Sequence, residues 1–98
     1  MWIGWLELDL LLGDVSSLKE KRSVVRPLLA ELRRRFALSV AEVGHLELHR
    51  RTSIGVSVVS ADRSHAADVL DEVERSVAYR PEIELLTAHR GYVTSSDE

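Results

Sequence analysis

The chain has no cysteine among its 98 residues, which removes disulfides, thiolate metal sites and a cysteine nucleophile together. No apolar run approaches the roughly 18 residues that a membrane-spanning helix needs, so no membrane partner is expected. The apolar start Met1-Trp2-Ile3-Gly4-Trp5-Leu6 has no basic region before it and is broken by Glu7 and Asp9, unlike a secretory signal. A cytoplasmic protein is the expectation. The glycines at 4, 13, 44, 55 and 91 are scattered and make no phosphate-binding loop, and no nucleophile-elbow motif accompanies the serines and histidines. Nucleotide hydrolysis and serine catalysis are therefore unsupported, and no cofactor is implied.

What is present is ordinary globular composition: 45% hydrophobic and 30% charged residues argue against a disordered or fibrous chain. The length suits one domain that buries a single core. No repeat or linker divides it, so residues 1–98 are read as one unit with an ordered core over about 2–93 and a polar, frayed tail at 94–98. The net charge of −3 conceals an asymmetry: residues 19–35 hold seven Lys or Arg against two Glu, and residues 62–84 hold three Arg against seven acids. Charge distribution, rather than its sum, has to indicate a partner.

Alternation from Trp2 to Leu12 places Leu6, Leu8, Leu10 and Leu12 on one strand face and Ile3, Trp5, Glu7 and Asp9 on the other. After the Gly13-Asp14 turn, Ser17 with Glu20 three residues on forms a capping box. Leu18, Val25, Leu28, Leu29, Leu32 and Phe36 then mark an amphipathic helix. Pro27 inside it predicts a kink near Ser23 to Arg26. Leu38 to Val43 reads as a strand, Gly44 to Arg51 as a connection, and Thr52 to Ser60 as a strand with Ile54, Val56 and Val58 inward. Asp62 caps a second helix that buries Ala66, Val69, Leu70, Val73 and Val77 and stops before Arg80-Pro81, and Ile83 to Val93 forms a last strand. The order predicts an α+β, ferredoxin-like βαββαβ fold: a four-stranded antiparallel sheet with two helices on one face. The crossover rule places the first and third strands centrally, with Ile3, Trp5, Glu7, Ser53, Gly55 and Ser57 on the open face.

The run Ser17-Leu18-Lys19-Glu20-Lys21-Arg22-Ser23-Val24, followed by Val40-Ala41-Glu42-Val43 and Ile54-Gly55-Val56-Ser57-Val58-Val59-Ser60, resembles the YlxP-like bacterial family, a domain of unknown function. The resemblance spans roughly residues 2–93. It implies a ferredoxin-like fold and, because bacterial members are often encoded among genes for translation initiation, transcription elongation and ribosome maturation, a connection to RNA or the ribosome. It implies no established activity. The sequence departs from the family's pattern after Ala-Glu-Val, where Gly44 replaces an acidic residue and no tryptophan follows near His49.

Two sets of residues stand out. Lys19, Arg22, Arg26 and Arg33 fall within about a 60° arc of the first helix at roughly 100° per residue, and with Lys21 they are the candidate polyanion-binding residues. Such a stripe can contact the phosphates of RNA or of a ribosomal surface, or it can solvate the helix and pair with Asp68, Asp71, Glu72 and Glu74 of the second helix. On the open sheet face, Trp5 lies beside small residues. RNA-recognition modules stack bases on two or three aromatics, and here there is one. Ile3, Trp5, Glu7, Gly55, Ser57 and His89 are instead the candidates for a homodimer interface or a site for a small apolar ligand. A cofactor-free enzyme using His89, Glu7 or Tyr92 there is the third alternative. His45 and His49 are four apart with Glu47 between them, but Gly44 and the alternating Leu46 and Leu48 oppose a helix, so the spacing supports no metal site. The reading is thus of a non-catalytic binding protein, with RNA through the first helix ahead of a ligand or second copy on the sheet.

Overall fold

The computed structural model describes residues 1–95, arranged as β1 (Trp2–Leu12), α1 (Leu18–Arg35), β2 (Ser39–Gly44), β3 (Arg51–Ser60), α2 (Arg63–Ala78) and β4 (Ile83–Thr94). The strands form one antiparallel sheet in the order β2-β3-β1-β4, the ferredoxin-like topology expected from the element order. β1 and β3 are central because each helix crossover returns the chain beyond its neighbour rather than beside it.

Alternation decides which face is buried. Leu6, Leu8, Leu10 and Leu12 of β1 are completely inaccessible to solvent and join Ile54, Val56 and Val58 of β3 beneath the helices. α1 contributes Val25, Leu28 and Leu32, and α2 contributes Ala66, Leu70, Val73 and Val77, to the same core. At Gly4 a methyl group would lie 3.2 Å from both Ala66 Cβ and Leu70 Cδ1, so the absence of a side chain lets α2 approach β1 closely.

Local chemistry fixes the helix ends. Ser17 Oγ accepts from Glu20 N at 3.1 Å, while Glu20 Oε1 reaches back to Ser16 N at 2.7 Å, one residue earlier than in a standard capping box. Asp62 Oδ1 accepts from His65 N at 2.7 Å at the start of α2. α1 is continuous from Leu18 to Arg35 with Pro27 inside it. Pro27 and Ser23, whose carbonyl loses its helical donor, are both exposed, a setting in which solvent can take the place of that donor. At the last strand the expected frayed tail is corrected: Thr94 belongs to β4, and Ser95 N donates to Met1 O at 2.9 Å. The remainder of that tail, residues 96–98, lies outside the described residues. Neither helix is long and apolar enough to cross a membrane.

Candidate functional site

The basic stripe lies in the N-terminal part of α1, on the side away from the sheet. Lys19, Arg22 and Arg26 are exposed, and among the described residues none of their side chains makes a hydrogen bond or ion pair. They border one shallow depression with Ser23 and Pro27. Two of the four acids of α2 are occupied elsewhere: Asp71 and Glu74 accept from Arg90 of β4 at 2.9 and 3.0 Å. Glu31 of α1 is engaged by Arg80 and, more loosely, by Arg35, and the Arg80 contact foremost holds its carboxyl below the ordinary value. Among the described residues the stripe makes no pair with α2, which leaves solvation of the helix as the alternative to a polyanion partner.

Of the five polyanion candidates, Lys21 needs correction and Arg33 is partly engaged. Lys21 is 2% exposed, and its Nζ sits 2.8 Å from Glu42 Oε2 and donates to the His45 carbonyl at 2.7 Å. Thr52 Oγ1 donates to the same Glu42 oxygen at 2.7 Å. Lys21 thus neutralises a β2 carboxylate and anchors the β2–β3 turn, and it has no donor left facing solvent for a phosphate. Its position foreshadows this: at about 100° per residue Lys21 falls between Leu28 and Leu32, inside the apolar arc rather than beside it. Arg33 remains exposed, but its Nη2 donates to the Val40 carbonyl at 3.0 Å, which commits part of the guanidinium to β2.

The open sheet face is built in rows by strand register. Ile3 lies between Val59 and Val93, Trp5 between Ser57 and Gly91, Glu7 between Gly55 and His89, and Asp9 between Ser53 and Thr87. Ser39 and Ala41 of β2 extend the second and third rows. The Trp5 indole lies flat over Gly91, where a methyl group would stand 2.5 Å from its Cζ2, and Val43 leans over Gly55 in the same way at 2.9 Å. Between these two side chains runs an open groove of about 370 Å³, floored by Gly55 and Ser57 and reached by Glu7 and Ala41. Ile3 and His89 share the face but do not line the groove. Tyr92, one of the groups considered for catalysis, packs on the helix side near Gly4 beneath the Arg63 guanidinium, the opposite face from Glu7 and His89.

A polar cluster closes one end of this face. Arg51 Nη2 donates to Asp9 Oδ2 at 2.6 Å, and His45 Nε2 lies 3.5 Å from the other Asp9 oxygen. The Arg51 hydrogen bond, acting against desolvation, holds the Asp9 carboxyl below its ordinary value. His45 takes a left-handed conformation with φ of 56° in the turn that Lys21 grips, so it points toward Asp9 rather than toward His49. Among the described residues no three metal-ligating side chains converge. Sequence reasoning missed Val43 as a groove wall and Arg51 as the partner of Asp9. The first follows only from the bulge between Glu42 and Gly44, and the second only from the β1–β3 register.

Fold and surface together define a small ferredoxin-like module with a cationic first helix and an uncovered sheet face. A family model described as "Protein of unknown function (DUF503)" matches residues 3–90, and the chain belongs to that family. "Uncharacterized protein YlxP" of Bacillus subtilis (strain 168) is 35% identical over 82 residues, covering 84% of this chain and 89% of that protein.

Proposed function

We propose that the chain is a non-catalytic binding protein that contacts the phosphate backbone of RNA, including RNA displayed on a ribosomal surface, through α1. One observation carries the reading: Lys19, Arg22 and Arg26 lie exposed on one helix face with no anion against them among the described residues, although the chain as a whole carries a net charge of −3. Unpaired cations on a rigid helix retain their charge for a partner, and their fixed spacing lets several phosphates be met together. Glu20, the acid nearest the stripe, is turned back on Ser16 through both its backbone N and its Oγ. Co-sedimentation with ribosomes and bulk RNA tests the reading. The chain should pellet at low salt and be released as salt rises, and Lys19→Ala/Arg22→Ala/Arg26→Ala should remain in the supernatant. No pelleting at low salt, or equal pelleting of the triple variant, would overturn it.

A second reading, of a dimeric module whose second copy or apolar ligand covers the open sheet face, is favoured by the groove between Trp5 and Val43. It too is a reading of binding. Of the groups that a cofactor-free reaction would need there, Glu7 lines the groove, His89 does not, and Tyr92 is on the other face.

A further inference from the structure

We infer that the open sheet face is a self-association surface and that Trp5 of each copy seats in the groove beside Gly55 of the other. The inference deepens the second reading by choosing its occupant, and it is independent of the α1 stripe, which lies on the helix side of the sheet.

The face is apolar where it is least covered. Val59 and Val93 are 65% and 52% exposed, Trp5 38% and Val43 53%. The register makes Val59, Ile3 and Val93 one continuous row, with Trp5 in the next. A contiguous patch of this kind usually marks an interface. Its dimensions suit a sheet of the same size: four strands about 4.8 Å apart and about ten residues long present on the order of 600 Å². Two such faces wholly covered would bury roughly 1,200 Å², the lower bound for a specific, stable interface, so a pair that leaves one end at the rim is a weaker one that forms as concentration rises. A small molecule in the groove would leave the Val59–Ile3–Val93 row wet, because the groove is a hollow on one side of that row and is open to solvent.

The relief of the face is complementary to itself. A twofold axis requires that whatever one copy offers, the same copy must receive. Here a large projecting ring, pinned by its contact with Gly91, adjoins the hollow that separates it from Val43, lined by Ser39, Ala41 and Ser57. Face-to-face packing in which apolar rows meet leaves the Asp9–Arg51–His45 end at the rim, where its ion pair stays hydrated. The two α1 stripes then point outward on opposite sides of the pair, free for polyanions.

Sedimentation velocity of the whole chain from micromolar to hundreds of micromolar, with fluorescence of a Trp2→Phe background to isolate Trp5, tests this. The expected result is a species of twice the 11.0 kDa chain mass, with Trp5 emission moving to the blue as it forms. Val59→Lys/Val93→Lys should stay at single-chain mass with an unchanged circular dichroism melt, since both side chains are exposed within one copy. Trp5→Ala should weaken association by roughly 30-fold or more, the scale of a central aromatic anchor. A dimer that persists undiminished in Val59→Lys/Val93→Lys would overturn the inference. So would a monomer at every concentration. If that monomer binds 1-anilinonaphthalene-8-sulfonate with Trp5 quenched, a small ligand is the occupant and the open-face reading survives. If it binds none and Trp5 is as accessible to acrylamide as free tryptophan, that reading falls as well.

Discussion

Replacing Glu42 by Gln should destabilise the protein out of proportion to a change of one atom. Lys21 is enclosed by α1, β2 and the β2–β3 turn, with its side chain 3% exposed, and its counter-ion Glu42 is 23% exposed. Removing one partner of a buried pair costs about 3–5 kcal/mol, because the remaining charge is left without compensation. Water can reach the outer side of Glu42, so the expected loss falls below that range, at about 2–3 kcal/mol. For a domain of this size that corresponds to roughly 10–20 °C in Tm. Gln keeps an oxygen that can accept from Thr52, which confines the change to charge. Lys21→Met, whose side chain fits between Leu28 and Leu32, leaves a carboxylate that can rehydrate and should cost less, about 1–2 kcal/mol. The double variant Lys21→Met/Glu42→Gln should recover part of the loss, with a coupling of at least about 1 kcal/mol. Urea denaturation of all four proteins, followed by far-ultraviolet circular dichroism, measures the cycle. A loss below about 0.5 kcal/mol for Glu42→Gln, within the range of ordinary surface changes, or strict additivity of the two changes, would refute the reasoning.

Further expectations concern the rest of the frame. Gly91→Ala brings a methyl group into the space of the Trp5 ring and should lift the indole from the sheet. Trp5 emission should then move to the red in the Trp2→Phe background, with a stability loss of about 1 kcal/mol by urea titration. Ser17→Ala removes the acceptor for Glu20 N and should cost about 1 kcal/mol in the same assay. Asp9, Glu20, Glu31 and Asp62 all have carboxyl pKa values lowered in the fold, chiefly by Arg51, by the Ser16 backbone, by Arg80 and by the His65 backbone respectively. Below their ordinary values the unfolded chain binds protons that the folded chain does not. Stability from these groups is thus fully present above the unfolded-state values and is lost as pH falls through the folded ones. Urea midpoints should be flat near neutrality and decline in acid, with a shallower decline in Asp9→Asn. An equal decline in that variant would contradict the role given to the Arg51 contact.

Elements whose information is local were legible from the sequence. The even-numbered leucines of β1 announced a one-sided strand, and Ser17 and Asp62 announced helix starts, because a cap and a face depend on residues within a turn of one another. The central position of β1 and β3 followed from chain connectivity. The residues Ile3, Trp5, Glu7, Gly55 and Ser57 lie on the open face as expected because strand alternation leaves no other side for them. Lys21 was misplaced because residue type was weighed over phase: its angular position is apolar, and the partner that makes burial affordable, Glu42, is supplied by another element. The Asp9–Arg51–His45 cluster depends on strand register and on a left-handed turn residue, neither of which local patterns encode.

The most direct test of the binding role is the salt dependence of affinity for a short single-stranded RNA, read by fluorescence anisotropy on the wild-type chain and on Lys19→Ala/Arg22→Ala/Arg26→Ala. Three phosphates neutralised by the stripe predict a slope of log affinity against log salt of about −2, collapsing toward zero in the triple variant. A slope unchanged in the triple variant, or no binding at low salt, would contradict the assignment of RNA to α1.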